Sequence, residues 1–67
     1  MEKEPLKARW LQVKGVLKEL WGEITGDELE FIDGQRDRLV GKLQQIYGMS
    51  EEEAQKEVDK IIDRLGP

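Results

Sequence analysis

The sequence contains no cysteine and no histidine. The first absence rules out disulfides and thiolate zinc sites as supports for the fold. The second removes the commonest zinc ligand and the usual general base near neutral pH. Aromatic residues make up only 6% of the chain: two tryptophans, one tyrosine and one phenylalanine. No apolar run approaches the length of a membrane span, and the start, MEKEPLKARW, lacks the apolar core of a signal peptide. A cytoplasmic location without a membrane span is therefore the default expectation. What is present is 67 residues, 37% hydrophobic and 39% charged. That is near the size at which one hydrophobic core barely suffices. The composition predicts a single domain over 1–67 with one thin apolar layer and a highly solvated exterior. With carboxylates, lysines and one tyrosine for chemistry, it is not expected to be an enzyme.

Charge changes sign along the chain. Residues 1–18 carry five basic and two acidic side chains, and residues 19–34 carry six acidic and none basic. Residues 35–48 return to three basic and one acidic, and residues 49–67 hold three basic and six acidic. The net charge of -4 argues against generic nucleic-acid binding. The alternation suits helices that neutralise one another within one fold.

Apolar spacing is helical throughout. Pro5 suits a first helical turn, with Glu4 before it as an acidic start. Leu6, Trp10, Val13, Leu17, Leu20 and Ile24 then step by four and three in alternation. The spacing predicts one helix over 5–21, with Trp10 and Trp21 on the same side. Gly15 interrupts it at a cost of about 1 kcal/mol relative to alanine, which a close helix crossing would explain. Thr25-Gly26-Asp27-Glu28 reads as a capping box opening a short helix over 26–33, and Gly34 suits a left-handed C-terminal cap. A third helix over 35–47 places Leu39, Leu43, Ile46 and Tyr47 on one side, with Val40 at the edge, Gly41 in mid-helix and Gly48 closing it. Ser50-Glu51-Glu52-Glu53 is a second capping box. Ala54, Val58, Ile61, Ile62 and Leu65 follow on one face of a helix over 51–65, which Gly66-Pro67 stops. Joins this short predict consecutive helices paired as hairpins: an all-α, four-helix domain of two crossed hairpins.

Sharper readings of individual stretches compete with structural ones. WGEITGDELEFIDG, Trp21 to Gly34, holds five carboxylates and could bind a hard cation. Counted from Asp27, however, loop positions 3, 5 and 6 of an EF-hand would be Leu29, Phe31 and Ile32, so no metal site is expected. The tryptophans could anchor a partner, but they lie on a continuous apolar stripe. LQQIYGMSEEEAQKEV resembles half of a helix-hairpin-helix DNA-binding motif, yet Ser50 replaces the second glycine and three glutamates follow where phosphate would dock. Nucleic acid is disfavoured on that ground. Glu28 with Asp33, or Glu52 with Asp59, could be paired for catalysis, but helix caps account for most of them. The surface left as a candidate interaction face is Lys7, Trp10, Lys14, Lys18 and Trp21.

The segment W-x-x-x-K-G-x-x-K-E-x-W-G (Trp10 to Gly22), then Thr25, Leu29, Ile32 and DGQRDRLVGKLQQIYG (Asp33 to Gly48), resembles the CsbD-like bacterial stress-response proteins. The resemblance runs from about residue 6 to residue 60. Gly26 departs from it, standing where members commonly carry aspartate. It implies a small four-helix fold similar to the sterile-alpha-motif-like class, in cytoplasmic bacterial proteins made in quantity under general stress. It supplies no catalytic residue, cofactor or ligand. The expected function is non-enzymatic protection by abundance or weak partner binding, from a monomer with no cofactor and with any protein partner unidentified. The alternative is a protein- or nucleic-acid-binding adaptor using the basic face of the first helix and the 43–58 hairpin.

Overall fold

The structure, a computed structural model, describes residues 5–66. The acidic start assigned to Glu4 and the stop at Pro67 lie outside the described residues. Five helices follow in order: α1 (Pro5–Ala8), α2 (Trp10–Leu20), α3 (Gly26–Ile32), α4 (Arg36–Tyr47) and α5 (Glu51–Leu65). The described chain is helical, with α4 against α5 as its most extensive packing pair. α2 also packs on α5, and α3 on α4.

One expectation needs correction: the single helix over 5–21 is broken. Arg9 leaves helical geometry at φ -117° and ψ 31°, and α2 ends at Leu20 with the Trp21 N–H donating to the Leu17 carbonyl at 2.7 Å. The interruption follows from contacts distant in sequence. Lys7 presses its backbone onto Gly34, and the Arg9 guanidinium donates to the Gly66 carbonyl at 2.7 Å. Heptad-like spacing carries no information about either.

The remaining elements form for local reasons. At the start of α3, the Thr25 hydroxyl accepts from the Glu28 N–H at 3.2 Å, and the Thr25 N–H donates to Glu28 Oε1 at 2.9 Å. Ser50 and Glu53 make the same reciprocal pair at the start of α5, both bonds at 3.1 Å. Each box satisfies donors that a helix start otherwise leaves open. Gly48 closes α4 at φ +69°. At the end of α3 the left-handed residue is first Asp33, at φ +47°, and then Gly34, at φ +74°. Gly34 is therefore the second member of a left-handed pair rather than the cap itself.

Twelve apolar residues form one core: Leu6, Val13, Leu17, Ile24, Leu29, Ile32, Leu39, Val40, Leu43, Ala54, Val58 and Ile61. All five helices contribute. Two residues depart from the periodic reading. Leu20 sits at the last residue of α2 and is 48% exposed, whereas Val40, expected at an edge, is buried between helices. Three ion pairs each join a basic stretch to an acidic one: Lys7 to Asp33 at 3.7 Å, Lys42 to Glu28 at 3.7 Å and Arg36 to Asp59 at 2.6 Å. This is the neutralisation that the alternating charge anticipates, although exposed pairs contribute only about 0–1 kcal/mol each.

Gly15 is not at a helix crossing. A methyl group there would meet nothing within 4 Å. Gly15→Ala is therefore expected to stabilise the domain by about 0.5–1 kcal/mol through helix propensity alone. A urea midpoint that stays put or falls would show that the glycine has a structural task inside the monomer.

Candidate functional site

Of the five residues of the candidate face, Trp10, Lys14 and Lys18 follow one another at successive turns of α2, Trp21 stands just past its end, and Lys7 lies on α1. Trp10 and Trp21 are half-buried and pack against the core. The Trp21 ring lies 6.2 Å from that of Tyr47 at a 45° tilt, an aromatic pair that adds about 0.5–1.5 kcal/mol beyond area burial. Lys7 is displaced onto α1 by the break at Arg9, where its ammonium pairs with Asp33. Lys14 and Lys18 remain together, one turn apart on the outer side of α2. Among the described residues neither has an ion-pair or hydrogen-bond partner.

Sequence reasoning missed a residue beside them. Leu11 is 80% exposed on the same outer side, with Lys14 and Lys18 at i+3 and i+7. Its signal was available, since Leu11, like Val16, is an apolar residue of this helix that falls between the steps of the stripe. Phe31 is expected beside Leu29 and Ile32 on the short apolar face of the second helix, and the structure turns it outward instead. It is 54% exposed, with the Arg38 guanidinium 5.0 Å and the Lys42 ammonium 5.3 Å from its ring centroid. Arg38 also donates to the Phe31 carbonyl at 2.8 Å, binding α4 to the last turn of α3.

The acidic stretch resolves into structural roles. Asp27 and Glu28 occupy the first turn of α3, where negative charge complements the helix dipole. Leu29 and Ile32 are buried, so the backbone around them cannot fold as a coordinating loop. Of the four carboxylates considered for catalytic pairing, three meet cations: Glu28 faces Lys42, Asp33 faces Lys7 and Asp59 faces Arg36. The Thr25 backbone N–H holds the Glu28 carboxyl below its ordinary value, and the nearby Lys42 charge acts in the same direction.

That shift has a definite sign. A carboxylate whose pKa is lower in the folded state contributes stability above its unfolded value, near 4.3 for glutamate, and loses it as pH falls through the folded value. Carbon-detected titration should therefore show the Glu28 side chain protonating below about pH 4.3. A midpoint at or above the free-glutamate value would remove the capping box as a source of acid-sensitive stability.

In the turn between α4 and α5, three backbone N–H groups are engaged within the fold. The Gly48 N–H donates to the Gln44 carbonyl at 3.0 Å, and the N–H groups of Ser50 and Glu53 go to the capping box. The Ser50 N–H, at the position of the motif's second glycine, is thus engaged within the fold, with Glu51, Glu52 and Glu53 following it. An open groove of about 520 Å³ runs along α4 and α5, where Gln35, Gln44 and Gln55 line a polar wall next to Arg36. A smaller depression of about 320 Å³ lies beside Phe31, lined also by Arg38, Gly41, Lys42 and Gln45.

The capping boxes, the glycines from Gly15 to Gly48 and the half-buried tryptophans all lie within a segment that carries a family signature. Residues 4–56 match the CsbD-like family model. The chain belongs to the CsbD-like family. Related proteins cover nearly all of its length. It is 46% identical over 65 residues to the UPF0337 protein PA4738 of Pseudomonas aeruginosa, which covers 97% of this chain and 100% of that protein. To the UPF0337 protein pc0632 of Protochlamydia amoebophila it is 46% identical over 64 residues, with 96% of this chain and 97% of the relative aligned. To the UPF0337 protein YjbJ of Escherichia coli K12 it is 47% identical over 58 residues, with 87% and 84% aligned. No solved structure matches the chain. The CsbD-like match stops at residue 56, but the relatives align over nearly the whole chain, and Val58 and Ile61 beyond that point are buried.

Proposed function

We propose that this CsbD-like protein is a non-enzymatic general stress-response protein of the cytoplasm that acts by abundance, as a highly charged, solute-like protector, or through weak partner binding. The observation that carries the reading is family membership over residues 4–56. Composition supports it: 26 charged side chains surround a small apolar core, and no buried polar or charged residue occurs among the described ones. Such a surface binds much water. The protein is a monomer at ordinary dilution in this reading. Its helices cross as two hairpins of the sterile-alpha-motif type, an arrangement supported by the α4–α5 hairpin and by α2 lying on α5.

The test is genetic. A strain lacking the gene should lose viability relative to its parent after osmotic upshift and in stationary phase, and the transcript should rise under the same conditions. Equal survival together with a flat transcript would sink the proposal.

A further inference from the structure

The outer sides of α2 and α3 carry opposite charge on the same geometric template. On α2 the template is Leu11, Lys14, Gly15 and Lys18; on α3 it is Asp27, Glu30 and Phe31, at i, i+3 and i+4. Leu11 and Phe31 are the two most exposed of the large apolar side chains, at 80% and 54%. Among the described residues Lys14, Lys18, Asp27 and Glu30 all lack ion-pair and hydrogen-bond partners, so the two faces do not neutralise each other within one molecule. Both surfaces also have a gap where a side chain would normally stand. Gly15 beside Leu11 and Gly41 beside Phe31 each sit in mid-helix, exposed, and a methyl group added at either would meet nothing within 4 Å. Neither glycine is required by a contact inside the fold, and each makes room outside it.

We propose that the protein associates reversibly with further copies of itself, head to tail, the α2 face of one copy docking on the α3–α4 face of the next. Leu11 of one copy enters the depression of about 320 Å³ beside Phe31 and Gly41, while Lys14 and Lys18 meet Asp27 and Glu30. Arg38 and Lys42 also line that depression, but Lys42 is already paired with Glu28 and Arg38 with the Phe31 carbonyl. The depression itself has two basic side chains and one acidic, Asp37, in its lining; counted together with Asp27 and Glu30 on α3, the receiving surface holds three acidic side chains and two basic. An acidic receiver for a basic donor is the charge complementarity that selects a second copy over a phosphate backbone or an anionic membrane. Because the two faces differ, the contact is heterologous and repeats along a chain of molecules instead of closing as a two-fold dimer. One leucine and a few charges cover much less than the roughly 800 Å² per partner of a standard stable interface, so the association belongs to high protein concentration.

The test uses the intact protein. Amide spectra recorded from about 50 μM to about 2 mM, a range suited to a contact this small, should show two separate patches moving together, one around Leu11–Lys18 and one around Asp27–Phe31 with Gly41. The weight-average sedimentation coefficient should rise steadily over the same range. Both effects should shrink in about 0.5 M salt, where exposed charges are screened. Leu11→Ser removes only an exposed side chain and should weaken association at least about tenfold, as expected for losing a central apolar anchor. Lys14→Glu/Lys18→Glu and Asp27→Lys/Glu30→Lys should each abolish it, and an equimolar mixture of the two variants should restore it. Constant spectra and sedimentation across the series would overturn the proposal, as would a single moving patch. So would shifts at Lys14 and Lys18 that arise only with added duplex DNA or phosphatidylglycerol vesicles.

Discussion

Gly34→Val should leave the domain largely unfolded at 25 °C. Two independent costs fall on this position. Its φ of +74° is strained for any side chain with a Cβ, at about 1–2 kcal/mol, and more for a β-branched one. A Cβ there would also lie 2.9 Å from the Lys7 Cα and 3.2 Å from its Cβ, which is backbone that a side-chain rotation cannot move aside. Overpacking of this kind adds about 1–3 kcal/mol. A domain below 70–80 residues rarely has more than about 3–5 kcal/mol in total. Gly48 provides the control, because it has nearly the same φ, +69°, and nothing within 4 Å. Chemical denaturation should therefore show Gly48→Ala losing about 1 kcal/mol, the conformational cost alone, and Gly34→Ala losing clearly more. Equal losses at the two glycines would remove the Lys7 contact from the explanation. A wild-type midpoint for Gly34→Val would remove both.

Leu43→Ala should cost about 2–5 kcal/mol and broaden or abolish the cooperative unfolding transition. Leu43 is fully buried on α4, the helix that packs against both α3 and α5. A cavity there loosens two interfaces at once, and a core of twelve residues has little spare packing to close it. Leu11→Ala gives the contrast, since an 80% exposed leucine should change stability by less than about 0.5 kcal/mol. A small loss at Leu43 in a urea titration would mean that α3 and α5 collapse onto α4 without it.

The residues that were legible in the sequence are those whose role depends on near neighbours. Thr25 with Glu28, and Ser50 with Glu53, cap helices through bonds three residues apart, and those bonds form as the motif implies. Leu17, Leu39, Leu43, Val58 and Ile61 are buried where the 3.6-residue period puts them. The candidate site was legible only in part. Lys14 and Lys18 stay together because one continuous helix carries both, while Lys7 lies beyond the break and the tryptophans are half-buried against the core. Leu11 went unnoticed because a periodic reading looks for apolar residues that fit the stripe, and Phe31, expected beside the apolar face of its helix, is exposed because Leu29 and Ile32 alone turn to the core.

The sequence by itself determined the helical class, both capping boxes, most of the core and the absence of thiol and imidazole chemistry, because each depends on composition or on residues within one or two turns. The tertiary structure alone decided that the first helix breaks at Arg9, that Gly34 must be glycine for packing as well as for φ, and which carboxylates are paired. Those outcomes depend on Lys7 meeting Gly34 and on Arg9 reaching Gly66 across 57 positions of chain. Local periodicity cannot encode such contacts, because they exist only once separate helices have packed.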